Sequence, residues 1–310
     1  MRLLLTGASG FLGRNLLLAL PRGWTTVAVY HRSKDFPSFL RQKGLRQIHP
    51  VRCDLSRADE LKRRRIAIGK TFDACIYLTA NGDPAFSVSD PEQDLRMTAL
   101  TVVNVLSQVT VKRLLYVSSG AVYGGLRGRV SPECRLDPSL PYAISHLAAE
   151  QYVKSFCAFR RNPREYLIVR FFGAYGPYEP GRKVYTRLVR TFMHKRARSF
   201  AIRGDGKNLI DAMYITDAVR ALLAALRSPL KNTTFDLCSG NPLSIEALVQ
   251  RAASVFGVAP VKIRKVGNTV EPIHFRPSTR FQKNKLRFNP RVSLEEGLRT
   301  FASFSKKESS

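Results

Sequence analysis

RLLLTGASGFLG, residues 2–13, decides how this chain reads. The apolar run Arg2–Thr6 has the length of a strand and meets a glycine at once. Leu12, Leu16, Leu17 and Leu20 then recur at helical spacing, which predicts a helix over residues 11–20. Between the two lie Gly7, Gly10 and Gly13, in the order G-x-x-G-x-x-G. In a strand–turn–helix unit the first glycine permits the tight turn, the second lets backbone approach a pyrophosphate, and the third lets the helix pack closely on the strand. The helix start offers unpaired N–H groups and a partial positive charge to an anion. A glycine triad between a strand and a helix therefore predicts a dinucleotide site built from Gly7, Ser9, Gly10, Phe11, Leu12 and Gly13.

Outward from this unit the first half alternates strand-like and helix-like segments. Strands are expected at residues 26–30, 47–53, 74–79, 113–118 and 166–171, and long helices at 91–109 and 145–159. That rhythm predicts an α/β fold: a Rossmann doubly wound parallel sheet, followed by a smaller C-terminal α/β region for the substrate. The divisions expected are 1–172, 173–304 and a mobile polar tail at 305–310, with some later segments returning to the sheet. A capping box from Ser293 to Glu296 opens the last helix.

The end of the second strand selects the dinucleotide. A carboxylate there would hold a ribose 2′-hydroxyl and favour NAD(H). The chain instead has His31, Arg32 and Ser33. Arg32, helped by Arg14, can pair with a 2′-phosphate, so NADP(H) is expected in preference to NAD(H).

The 310 residues suffice for one large core or two modest ones. No apolar run reaches membrane-span length, and the opening residues lack the pattern of a signal peptide. Five scattered cysteines without a C-x-x-C pair read as buried thiols of a reducing compartment, so a cytoplasmic location is expected. The five histidines are dispersed, and no metal site is expected. The formal net charge of +28 is unusual. Residues 1–150 hold 21 Lys and Arg against 12 Asp and Glu, and residues 151–310 hold 30 against 11, so the surplus lies mainly in the later half. It reads either as a solvated surface or as attraction to anions: a phosphorylated small molecule, nucleic acid or an anionic membrane surface. Short basic clusters at 62–65 and 194–198 sit in no nucleic-acid motif.

Further stretches extend the pattern along the chain. They are Asp54-Leu55, LTANG (78–82), VSSGAVYG (117–124), PYAISH (141–146), RFFGAYGP (170–177), GDGK (204–207) and NPRVSLEEGL (289–298). With the opening glycines, in this order, the chain resembles the extended short-chain dehydrogenase/reductase family. These are the epimerases and dehydratases that act mostly on nucleotide sugars. The resemblance implies that Asp54 and Leu55 meet the adenine, and that Leu78, Thr79, Ala80 and Phe171 also line the cofactor. It implies Tyr142 as acid/base, opening the family's Y-x-x-x-K motif, and Ser119 as its hydrogen-bonding partner. Asn81, Ser119, Gly120 and Gly173 fall at substrate positions, with Arg182 and Arg280 as candidate charges for an anionic group. A homodimer through the helices at 91–109 and 145–159 is implied as well.

Three departures from the family stand out. The motif's lysine, which also binds the nicotinamide ribose, is His146 here; a neutral imidazole can still bond to ribose but gives a phenol less cationic help. Gly173 stands where relatives that bind nucleoside diphosphates have Asn, and Ile210 where they have Arg. The 4,6-dehydratases carry Asp-Glu where this chain has Gly120 and Ala121, which argues against water elimination. Two functions follow. One is an NAD(P)-dependent epimerase or ketoreductase acting on a nucleotide sugar or other anionic sugar, with hydride transfer at a sugar carbon, C4 above all. The other is a weakly catalytic or non-catalytic dinucleotide binder whose basic surface holds an anionic partner such as RNA; steep weakening of that binding with salt would mark it.

Overall fold

Leu3, Leu4 and Leu5 are at most 1% exposed, because β1 (Arg2–Thr6) is covered on both faces. The structure is a computed structural model and describes residues 1–309. β1 is an interior strand of a seven-stranded sheet whose other strands are β2 (Thr25–Tyr30), β3 (Ile48–Arg52), β4 (Thr71–Tyr77), β5 (Thr110–Ser119), β6 (Glu165–Phe171) and β7 (Thr233–Leu237). The order is β7-β6-β5-β4-β1-β2-β3, and the pairings from β3 through to β6 are parallel. The order reverses between β1 and β4, and a crevice opens at the carboxyl ends of such strands. This is the Rossmann-like α/β fold read from the sequence.

α1 (Phe11–Ala19) follows the glycine turn and buries Gly13, Leu16 and Leu17. Among the helices not foreseen are α2 (Phe36–Gln42) and α3 (Ala58–Ile68). α3 buries only Leu61 and Ile68, too few apolar positions to show a period, and the basic cluster at 62–65 is part of its polar face. Two ion pairs, Arg57 and Arg63 on Asp59, tie its first turn together.

The helix expected at 91–109 is present but not continuous. It runs as Pro91–Leu95, a π-helical turn Arg96–Leu100, and Thr101–Gln108. Asp90 caps its start, its Oδ1 accepting from the Gln93 N–H at 3.0 Å. The helix expected at 145–159 begins four residues earlier, as α4 (Pro141–Arg160). Pro141 suits the first helical position, where no N–H is needed. Tyr142 therefore lies inside the first turn of α4 rather than before it.

The chain forms two compact units. The first holds residues 1–124, 135–171 and 222–235, and the second holds 125–134, 172–221 and 236–310. One break lies at 171–172, and 222–235 belongs to the first unit and adds most of β7. In the second unit Ser199–Ile202 pairs with Lys262–Lys265, and Ala174–Tyr175 with Met213–Tyr214. Its last helix, Leu294–Ser309, has the expected cap: Ser293 Oγ accepts from the Glu296 N–H at 3.1 Å. That helix continues through the segment read as a mobile tail; residue 310 lies outside the described residues. No helix among the described residues is long and apolar enough to cross a membrane.

Candidate active site

The glycine turn is shaped so that nothing but glycine fits at two points. Gly7 has φ +64°, and a Cβ there would stand 3.0 Å from the Leu78 carbonyl carbon. A Cβ on Gly13 would stand 2.5 Å from the carbonyl oxygens of Gly7 and Ala8. Both approaches are to backbone, so a side chain would force the turn open. Gly10 caps α1 without any side-chain cap, which leaves the first N–H groups of the helix to a ligand. These features fit a pyrophosphate.

Beside the turn lies a cavity of about 270 Å³. It is lined by Gly7, Ser9 and Gly10, by His31, Arg32 and Ser33, by Asp54 and Leu55, and by Leu78, Thr79 and Ala80. Eleven of the residues assigned to the cofactor from sequence thus share one cavity within the first unit. Phe11, Leu12 and Gly13 stand behind it in α1, and Tyr142, His146 and Phe171 are not part of its wall. Sequence reading missed Gln93, Met97 and Thr101, which line it from the helical segments at 91–108. Their spacing of four residues was a visible sign of one helix face. It also missed Cys53, whose thiol is pushed up to about 12 by burial and by Glu60 and Asp54, and is no nucleophile at neutral pH.

At the cavity rim Arg32 is exposed and makes no hydrogen bond or ion pair among the described residues. Arg14, expected to assist it, is held elsewhere. Its Nη2 is 2.6 Å from Asp35 Oδ2, its Nε donates to the Ser9 carbonyl, and its guanidinium lies 4.7 Å over the Phe39 ring. Asp54 accepts from the N–H and hydroxyl of Ser56 at 3.0 and 2.7 Å, and His31 Nε2 is 3.8 Å from it.

β5 ends at Ser119, and the short 3-10 turn Gly120–Tyr123 follows. Ser119 Oγ accepts from the Ala121 N–H at 3.1 Å, which caps this turn, and the serine lies near enough to the Tyr142 hydroxyl to draw its pKa down against the larger effect of burial. One helical turn on, the His146 ring packs edge-on against Tyr142 with centroids 4.7 Å apart. His146 is 3% exposed; its Nδ1 meets the Tyr116 hydroxyl at 3.3 Å, and its Nε2 has no partner. Burial lowers its pKa to about 4, so the imidazole is neutral across the physiological range. An unpartnered buried nitrogen at this position fits a ribose hydroxyl.

Burial of a neutral histidine has a stability consequence. Its folded pKa lies below the ordinary 6.5, so its contribution is present above 6.5 and is lost as pH falls through about 4. The 2.5-unit span amounts to about 3 kcal/mol. Denaturant unfolding of the wild type and of His146→Gln should therefore converge by about 3 kcal/mol between neutral pH and the acid limb; parallel curves would contradict it.

The substrate positions divide between the units. Asn81, Ser119 and Gly120 belong to the first, and Gly173, Arg182 and Arg280 to the second. The Asn81 amide is committed within the chain: Nδ2 donates to Asp94 Oδ1 at 2.7 Å and to the Asp83 carbonyl at 2.8 Å, and Oδ1 accepts from the Asp83 N–H. Gly173 has φ +145°, with Ala212 Cβ 3.3 Å from where its Cβ would be, so the asparagine of relatives does not fit this backbone. Arg280 is exposed at the start of a short helix.

Comparison with known proteins agrees with this geometry. Residues 3–238 match the model of the NAD dependent epimerase/dehydratase family. The chain belongs to that family, whose members are enzymes. It is 24% identical over 310 residues to an uncharacterized UDP-glucose epimerase, YtcB, of Bacillus subtilis, covering 96% of each chain. Its fold is similar to that of a UDP-glucose 4-epimerase from Thermotoga maritima solved with UDP-glucose, with a TM-score of 0.88, 22% identity and full coverage of both chains. It is similar also to RMD from Pseudomonas aeruginosa complexed with NADPH, with a TM-score of 0.80, 23% identity and 99% coverage of each chain.

Proposed function

We propose that this chain is an NAD(P)-dependent epimerase or ketoreductase of a nucleotide sugar or other anionic sugar, acting at a sugar carbon, C4 above all. The observation that carries the reading is that Tyr142 stands beside Ser119 in the same unit as the glycine cradle. The nicotinamide dinucleotide, when bound, supplies the hydride chemistry. The chain supplies the rest. The turn at Gly7–Gly13 and the start of α1 hold the pyrophosphate, and Asp54 and Leu55 hold the adenine end. His146 Nε2 takes a ribose hydroxyl, Ser119 orients the sugar oxygen, and Tyr142 Oη moves the proton. Gly120 and Ala121 leave no acid pair for water elimination.

NADP(H) is proposed over NAD(H) because Arg32 stands unpaired at the rim. Calorimetric titration tests both statements. Tighter binding of NADPH than NADH is expected, and Arg32→Glu should reverse the order. No heat with either dinucleotide would remove the functional reading; an unchanged order in Arg32→Glu would remove the preference.

A homodimer is proposed through the helices over 91–108 and α4. They leave Leu95, Ile144, Tyr152 and Phe159 from 47% to 86% exposed, a large apolar face for helices that are otherwise packed. Light scattering should give twice the 34.8 kDa chain mass, and Tyr152→Lys with Phe159→Lys should give the single mass. A wild-type monomer would reject this assembly.

A further inference from the structure

Part of the charge surplus of the later half gathers on one face of the second unit. Residues 189–204 and 247–270 carry nine Lys and Arg and no Asp or Glu. A two-stranded sheet brings the two stretches together. Ser199–Ile202 pairs in parallel with Lys262–Lys265, setting Lys262 beside Ser199 and Arg264 beside Ala201. The ladder runs one residue further, since the Val266 N–H donates to the Ile202 carbonyl at 2.8 Å. Alternate residues of a strand share a face. Phe200 and Ile202 face the interior and are 2% exposed. The opposite face holds Lys262, Arg264 and Val266 on one strand, and Ser199 and Ala201 on the other, with Arg203 just beyond. The small side chains of Ser199 and Ala201 leave the cations standing clear of the sheet. Lys195 and Arg198 lead into the strand at 199–202, and Lys265 closes its partner. Lys195, Arg198, Arg203, Lys262, Arg264 and Lys265 are all exposed, and among the described residues none of their side chains makes a hydrogen bond or ion pair. The basic cluster of α3 differs, because its cations share their helix with Asp59 and Glu60. Like charges gathered without counter-charges repel one another, and an anionic partner relieves that repulsion.

Two features of the face select among anions. Phe200 is the one aromatic residue of the paired strands, and it is buried, so no ring there can stack on a base, as single-strand nucleic-acid binding requires. Aliphatic groups are offered instead: Val266 and Val270, at the end of the cationic strand and in the turn after it, are 48% and 47% exposed. Cations flanking exposed aliphatic side chains match the interface of a membrane, where phosphates lie beside acyl chains. We propose that this face docks on an anionic phospholipid membrane: the six cations meet lipid phosphates, and Val266 and Val270 enter the headgroup layer. Docking is peripheral, and it is independent of the dinucleotide reading, since the face belongs wholly to the second unit. Each cation near such a surface contributes roughly fivefold in partition, so three contribute roughly 10².

Sedimentation of the whole chain with vesicles tests the docking. One set is phosphatidylcholine alone; the other is equal parts phosphatidylcholine and phosphatidylglycerol. Binding is expected to the mixed vesicles only, and should weaken as salt rises. Lys262→Ser with Arg264→Ser and Lys265→Ser should lower it by roughly 10². Lys62→Ser with Arg64→Ser and Arg65→Ser removes the same charge from α3 and should leave binding within a factor of about two. Val266→Ser with Val270→Ser keeps the charge and should weaken vesicle binding by about tenfold, with no change in binding of a random-sequence RNA. Wild-type protein that ignores the mixed vesicles at low salt overturns the proposal, and that result needs no variant. Equal losses in the strand and α3 variants overturn it too, because net charge alone would then act. RNA held more tightly than vesicles, lost in the strand variant and indifferent to the valines, would give the face to nucleic acid instead. Dinucleotide titration is read separately on the same proteins, so a failure here leaves the functional reading standing.

Discussion

Glu150→Ala should cost the first unit about 3–5 kcal/mol of stability, because it strands a buried guanidinium. Glu150 sits on α4 with its side chain 0% exposed, and Arg170 sits on β6 at 4%. The pair is forked: Nε donates to Oε1 at 3.1 Å and Nη2 to Oε2 at 2.9 Å. The free valences are used. Ser118 Oγ donates to Glu150 Oε1 at 2.6 Å, and Arg170 Nη1 donates to the Tyr123 hydroxyl at 3.0 Å while its carbon lies 5.1 Å over that ring. Burial alone would lower the Arg170 pKa, but the bonds and charge of Glu150 hold it above the ordinary range, so the cation stays. Removing the carboxylate leaves that cation without water or partner. Denaturant unfolding would read the loss, and Glu150→Leu with Arg170→Met together should recover most of it, since the paired charges gain little over apolar groups of like volume. A single-mutant loss below about 1 kcal/mol would show that solvent reaches the guanidinium. The cluster ties Ser118, next to Ser119, to the helix that carries Tyr142, so local loosening should also be felt at the candidate site.

Much of this arrangement was legible in the sequence because local chemistry dictates it. Residues 2–13 could hardly be anything but a strand, a turn that excludes side chains, and a helix, and the cavity beside Gly7 gathers eleven of the residues assigned to it. What stayed hidden depends on contacts far apart in the chain. α3 shows too few buried apolar positions to announce itself. Arg14 reads as a phosphate ligand until Asp35, 21 residues on, is seen to hold it. Asn81 reads as a substrate contact until Asp83 and Asp94 take its amide. Asp94 lies in the helix expected over 91–109, and only the tertiary packing shows that it is buried. The fold was written in periodicity and glycine; the pairing of its polar groups was written in partners the sequence does not place together.

Tyr142→Phe should lower turnover by roughly 10²–10⁴ while leaving dinucleotide affinity within a factor of about two. The separation follows from the geometry. Tyr142 is not in the wall of the cavity that holds Gly7, Arg32 and Asp54, so loss of its hydroxyl removes no contact there. Nor does it unseat the neighbouring turn, because Ser119 Oγ still accepts from the Ala121 N–H. What disappears is the hydroxyl proposed as the proton donor, beside Ser119. A proton that arrives from water instead of a positioned phenol raises the barrier by about 3–5.5 kcal/mol over that range of rates. UDP-glucose and its 4-keto derivative are the first probes, followed by dinucleotide absorbance under single turnover so that product release does not mask the step. Ser119→Ala should fall less in turnover and more in KM, since it orients oxygen rather than moving the proton. A phenylalanine variant that turned over within twofold of wild type would exclude Tyr142 as the proton donor and leave the cradle as a binding site alone.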